Sequence, residues 1–375
     1  MARRAIAACL VLAACSAHAP PSNARPRDAG ISIAIYASEH GGYAVVDDRR
    51  MLEISGSSVL LSNIDPGAEL ASLVLEPADP ALRIGACVRE RMPELPAEPP
   101  VDRFVPVVQC AVTAPPGRYL VRILYVTPGL GYRAQHDVDV RSEGRARVAS
   151  RFAIPTPVWQ QAADVVLYDG VPGGAHAPRE VARGPVSLDG SVAVLAAPPR
   201  EVDSRLRRVY EGAVVTSDDS SDPAWGRDSV QAVWVWLELA KLHLAPGAVH
   251  VHLELAGEGV HDLDVAAATR RQADEPDAPL RLPLWVDESL RGSRQRVLEY
   301  NDGAMIVERY LFGVANTGET TREVWIEEPM RRAARRRLDR PWPVRPSARG
   351  DVLRTRLVVR PGPFVRAGYS ITYDF

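Results

Sequence analysis

From Ile31 onward, apolar residues recur at every second position in short runs broken by Gly, Pro, Asn and Asp. ISIAIYA (31–37), YAVVDDR (43–49), SVLLSNI (58–64) and LASLVLE (70–76) each have this form. Successive side chains of a strand point to opposite faces, so such runs predict half-buried β-strands. The same rhythm continues through FVPVVQCAV, RYLVRILYV, HDVDVR and ARVASRFAI, with turn residues between runs. Regular spacing of this kind points to β-sandwich domains. One segment, Val158–Ala163, reads instead as a short helix. The 32 prolines argue against long helices, since Pro costs about 3 kcal/mol in a helix interior.

The pattern predicts an all-β chain of tandem sandwich domains. An N-terminal β-domain covers residues 30–117 and a central β-rich domain 118–294. The central part holds ADVVLYDGVPGG and SVAVLAAPP, a polar loop TSDDSSDPAWGRDS, and the strands VQAVWVWLELA and AVHVHLELAG. Residues 295–375 form a module of Ig-like length and rhythm, packed with the central domain. Its strands are RVLEYNDG, MIVERYLFGVANT, REVWIEE, VLRTRLVVRPG and YSITYDF, with a turn at Asn316-Thr317-Gly318.

The first thirty residues follow another logic. Arg3 and Arg4 precede an apolar run, Ala5–Ala14, too short to span the ~30 Å hydrocarbon core. Residues 1–14 therefore read as a signal peptide. Leu12-Ala13-Ala14-Cys15 resembles the bacterial lipobox, which implies diacylation of the Cys15 thiol, cleavage before it and acylation of the new amine. The alternative is an ordinary secretory signal cut near Ala17-His18-Ala19. Ser16 in place of Asp implies sorting to the outer membrane, and residues 15–29 form a flexible spacer after the lipidated cysteine. Removing Cys9 and Cys15 from the count of four leaves Cys87 and Cys110, an even pair that predicts a disulfide in an oxidising compartment. A redox or metal role is the alternative, and the pair lacks CxxC spacing.

The stretches RYLVRILYVTPGLGYRAQHDVDV and SRFAIPTPVWQQAADVVLYDGVPG resemble a β-rich domain of unknown function found in proteins related to mucoidy inhibitor A. Tyr132 stands where that family usually has Trp, and Ala163-Asp164 precede the Val165–Leu167 strand. LHLAPGAVHVHLEL, PLWVDES, FGVANTGETTREVWIEEPM and RLVVRPGPFVRAGYSITYDF fit the C-terminal part of the same pattern. The resemblance covers most of the chain and implies an all-β fold; the family offers no established activity or catalytic residues to carry over. This sequence lacks the coiled-coil heptads that relatives often carry.

Four groups of residues are candidates for chemistry. His250, His252 and Glu254 share a strand face, and His261 follows a Gly257-Glu258-Gly259 turn. Together they make a chemically reasonable zinc or copper set, against the plainer reading of a solvated strand face. Trp234 and Trp236 share a face that suits stacking on sugar rings, or a strand buried on both sides. Asp218, Asp219 and Asp222 lie in a Ser-rich loop without EF-hand spacing, so they read as linker. Met330–Arg340 contains six arginines and reads either as an exposed connection or as a contact for anionic lipid or polysaccharide.

The net charge is −2, or −4 without Arg3 and Arg4, which excludes the basic footprint of a nucleic-acid binder. No G-x-S-x-G, H-E-x-x-H or Walker loop occurs, and no cofactor fingerprint is present. The expectation is a non-enzymatic outer-membrane lipoprotein facing the periplasm or cell surface, held by its lipid and in contact with envelope proteins or polysaccharide. Two alternatives stand: a metal-binding protein or hydrolase using His250, His252 and His261, and a carbohydrate-binding module.

Overall fold

The computed structural model describes residues 30–37, 42–93, 104–128, 130–142, 144–156, 158–174, 177–213, 229–255, 259–265, 279–330, 335–343, 345–349 and 351–374. The expectations placed on residues 1–29 and on Asp218, Asp219 and Asp222 lie outside them. The described chain is almost entirely strand, as the period-two pattern requires. It divides into two compact units: residues 1–137, 148–200 and 244–249, and residues 138–147, 201–243 and 250–375.

The first unit holds a six-stranded sheet of order β11-β10-β1-β2-β7-β4. These are β11 (Arg179–Asp189), β10 (Val158–Asp169), β1 (Gly30–Ala37), β2 (Tyr43–Ile54), β7 (Gly117–Thr127) and β4 (Val74–Pro77). A three-stranded sheet joins β3 (Ser58–Leu61), β6 (Phe104–Thr113) and β5 (Arg83–Pro93). Inward-facing Ile33, Ile35, Val46, Val121 and Ile123 of the larger sheet share one core with Leu61, Val108 and Cys110 of the smaller.

Two sequence expectations change here. Val158–Ala163 is not helical: it begins β10, which pairs in parallel with β1 and antiparallel with β11. Ala163, Val165 and Leu167 point inward at period two; pairing with β11 across the segment, joined by β1 from Ala163 on, outweighs the helix preference of the Gln and Ala residues. LASLVLE is a strand only from Val74, because Leu70–Ser72 forms a 3₁₀ turn. The Ser72 hydroxyl donates to the Glu69 carbonyl (2.6 Å) and accepts from the Val126 amide (2.9 Å), which fixes that turn against β7.

The second unit is built on a sheet of order β15-β14-β8-β9-β12-β13-β16-β17-β22-β19, to which β18, β21 and β20 attach through β12. The strands are β8 (Arg133–Ser142), β9 (Arg145–Pro155), β12 (Val192–Tyr210), β13 (Ala232–Leu239), β14 (Gly247–Leu255) and β15 (Gly259–Val265). They continue as β16 (Leu280–Asn301), β17 (Met305–Asn316), β18 (Arg322–Pro329), β19 (Arg335–Trp342), β20 (Ser347–Arg349), β21 (Val352–Val359) and β22 (Gly362–Asp374). Parts of β8, β9, β12 and β14 belong to the first unit by residue number.

The long strand β16 organises this unit. Its first half pairs with β13, and from Leu290 it pairs with β17. Gly292 sits at that change of partner, where a Cβ would stand 2.1 Å from the Tyr210 ring, so only glycine fits. Tyr210, Tyr310, Phe312, Val324, Leu357, Tyr369 and Tyr373 fill the core between these strands. The turn expected at Asn316-Thr317-Gly318 is present: the Asn316 amide donates to the carbonyls of Thr320 and Val359, and its oxygen accepts from the Gly318 amide.

Cys87 and Cys110 lie opposite each other in the β5–β6 pair and form a disulfide, with a sequence separation of 23. Cross-linking a loop of that length stabilises a fold by roughly 3 kcal/mol. Urea unfolding of the first unit, followed by tyrosine fluorescence, should show a lower midpoint with reductant than without. An unchanged midpoint would mean that the bond carries no stability.

Candidate functional site

Charged residues placed at period two inside apolar strands converge in the second unit. On β13, Glu238 stands directly opposite Arg281 of β16, and Nε of Arg281 donates to it (3.0 Å). The two terminal nitrogens of Arg281 also bind both oxygens of Glu327 on β18, each at 2.7 Å. Glu327 is opposite Arg354 of β21, whose Nε lies 3.0 Å from it, and Nε of Arg207 on β12 lies 2.6 Å from Glu238. Those last two nitrogens are off the N–H direction, so they are charge contacts rather than aligned hydrogen bonds.

Tryptophans complete the layer. The Arg207 guanidinium lies 4.6 Å over the Trp325 ring, and that of Arg281 lies 5.6 Å from the Trp236 ring. Both are within cation–π range. Burial opposes the charge on Arg281. The hydrogen bonds and charge of Glu327, with the charge of Glu238, outweigh that and hold its proton more firmly than usual. Burial is the larger influence on Arg207 and lowers its pKa, although Glu238 pulls the other way.

A second cluster lies on the core side of the same strands. Arg294 of β16 binds Glu328 of β18 through two hydrogen bonds (2.6 and 2.9 Å), with both side chains 1% exposed. Glu308 of β17 accepts from Arg296 (3.0 Å) and from the Tyr310 hydroxyl. Burial raises Glu328 above the ordinary carboxylate range, and Arg294 offsets only part of that. Because neighbouring residues of a strand face opposite ways, Glu327 serves the outer layer while Glu328 serves the core. At the rim, Asp287 accepts from Arg208 (2.7 Å) and from the Ser289 hydroxyl (2.6 Å).

The predicted metal residues separate. His250 and His252 on β14 pair with Asp264 (3.0 Å) and Asp262 (2.7 Å) on the neighbouring strand β15. His261 is out of phase with Asp262 and Asp264, so it emerges on the other face. There it stacks on Trp285 with ring centroids 4.4 Å apart. Among the described residues, no three His, Cys, Asp or Glu side chains converge to hold a metal ion.

Trp234 and Trp236 share a face of β13 but not an environment: Trp234 is 38% exposed, whereas Trp236 is 3% exposed beneath Arg281. A two-indole sugar platform is therefore not formed by this pair. Of the arginine run, Arg335–Arg340 forms most of β19 rather than a loop, and Arg336 is held by the Met330 carbonyl and by Asp351. The sequence reading missed the ionic layer altogether. Its one local trace is Glu238, the only charged residue of the apolar and aromatic strand AVWVWLEL.

Chemically, these carboxylates are engaged by guanidinium groups, so the arrangement fastens strands together. No protein-family model matches the chain, and no curated protein sequence is similar to it.

Two outcomes follow. Arg294→Met leaves Glu328 buried without its partner and should destabilise the second unit by about 3–5 kcal/mol in denaturant titration, with Glu328→Gln added to Arg294→Met restoring part of it. Asp287 is pushed up by burial, but Ser289 and Arg208 outweigh that and leave its pKa below 3.8. Its contribution is therefore full above that value and lost as pH falls through the lower folded value. The stability gap between wild type and Asp287→Asn should be present at neutral pH and shrink as pH falls below 3.8; a gap that widens there would contradict the pairing.

Proposed function

We propose that the chain is a bacterial cell-envelope lipoprotein, held by lipid on Cys15, whose β-units serve as a non-enzymatic scaffold or binding element. The observation that carries this reading is the division of the cysteines. Cys87 and Cys110 are joined as a disulfide, which persists in oxidising compartments such as the periplasm. Cys15 stands apart from them, directly after Leu12-Ala13-Ala14, in the position where lipobox chemistry acts.

Several acyl chains on one cysteine account for a stable tether, since each buried CH₂ adds about 0.8 kcal/mol and one chain binds only marginally. Residues 16–29 then act as a spacer, and Ser16 directs the protein to the outer membrane. Paired buried charges favour a structural role over catalysis, because a catalytic acid or base needs a free site for substrate. The C-terminal strands are read as an Ig-like module, and the chain as a relative of the β-rich domain in mucoidy inhibitor A-related proteins.

Labelling with radioactive palmitate in a bacterial host tests the tether. The wild type should take up label and sediment with outer membranes, whereas Cys15→Ala should be unlabelled and soluble in the periplasm. An unlabelled wild type, or a Cys15→Ala protein still bound to membrane, would overturn it.

A further inference from the structure

One face of the second unit carries exposed side chains that neither ionic cluster engages. On β17 and β22 the core takes Tyr310, Phe312 and Val314, and Ala367, Tyr369 and Ile371. Alternation therefore places Arg309, Leu311 and Gly313, with Phe364, Arg366 and Gly368, on the opposite face. Trp342 of β19 joins them, because it pairs with Gly368, and paired residues share a face.

The two glycines shape this surface. A Cβ on Gly313 would stand 3.0 Å from the Phe364 ring, and one on Gly368 would stand 3.0 Å from Leu311. Their bareness lets Phe364 and Leu311 lie across the sheet. Trp342 is 58% exposed and Phe364 46% exposed. Phe364 is four residues from Gly368, so the backbone positions that carry the two rings are on the order of 13 Å apart along the strands. That span exceeds one sugar ring.

Charge decides the class of partner. Arg366 lies opposite Gly313 and Arg309 opposite Ser370, while Arg291 of β16 lies opposite Ala315. All three are exposed, and among the described residues none has a carboxylate partner. Arg294 and Arg296, which alternate inward on the same strand β16, are both paired. Exposed Ser293 and Gln295 lie between the cations. A membrane-inserting patch would be contiguous and apolar. Aromatic rings, hydroxyl and amide groups, and unpaired guanidinium groups side by side instead match a ligand with CH faces, hydroxyls and carboxylates.

We propose that this face of β16, β17, β22 and β19 binds an acidic polysaccharide, with Trp342 and Phe364 against its sugar rings and Arg309 and Arg366 on its carboxylates. The inference deepens the envelope reading by naming a ligand class, and it does not depend on the lipid.

Calorimetry with polygalacturonate tests it on the full chain carrying Cys15→Ala, at low and at high salt. Binding is expected at low salt and weaker at high salt. It should be at least about fivefold weaker in Trp342→Ala, and likewise in Arg309→Gln combined with Arg366→Gln. Neutral dextran should not bind. All of these positions are exposed, and circular dichroism checks that the variants fold. The proposal is overturned if polygalacturonate does not bind at low salt, or if Trp342→Ala binds as well as the parent. It is also overturned if the chain binds phosphatidylglycerol vesicles in place of polygalacturonate. Failure here leaves the palmitate result standing, and a chain that proves unlipidated can still bind the glycan.

Discussion

A guanidinium group buried in a β-sheet must find carboxylates with the right geometry, and the second unit is arranged around that demand. Arg281 reaches Glu238 on the paired strand β13 and both oxygens of Glu327 on β18, a strand that pairs with β12 and β21. A one-residue slip of either strand would move its carboxylate to the opposite face and leave the arginine uncompensated. Apolar packing tolerates a range of arrangements, whereas bidentate charge pairs do not. Arg294 with Glu328 repeats the device on the core side, one residue along β18. Glu327 and Glu328 together thus fix β18 from both faces.

The first unit reaches the same end by other means. Its sheets share an apolar core, and the covalent link between Cys87 and Cys110 holds β5 to β6. Covalent closure acts mainly on the unfolded chain, while buried ion pairs act on the choice among folded registers. Neither device requires a cofactor.

Alternation made most of the strands legible in the sequence, and elimination among the cysteines made the disulfide legible. What stayed hidden depended on partners distant along the chain. Arg281 lies 43 residues from Glu238 and 46 from Glu327, so nothing local announces either contact. Val158–Ala163 reads as helix because its local composition favours one, and pairing with β11, joined by β1 at Ala163, reverses that. His250 and His252 do share a face, as spacing requires. His261, one residue out of phase with the aspartates that those histidines meet, cannot join them. Trp234 and Trp236 show the same limit: alternation gives the shared face, but only the fold shows that Arg281 covers one indole.

The arginine run also gains its meaning from pairing. As β19 it places Trp342 beside β22, where the sequence alone suggested a connecting loop. The central claim remains that charge pairing sets strand register in the second unit. A double-mutant cycle on Arg281→Met and Glu327→Gln, read by denaturant unfolding, tests it most directly. The account predicts a coupling energy of at least about 1 kcal/mol, with the double variant less damaged than the sum of the singles. Additive effects within about 0.3 kcal/mol would contradict it.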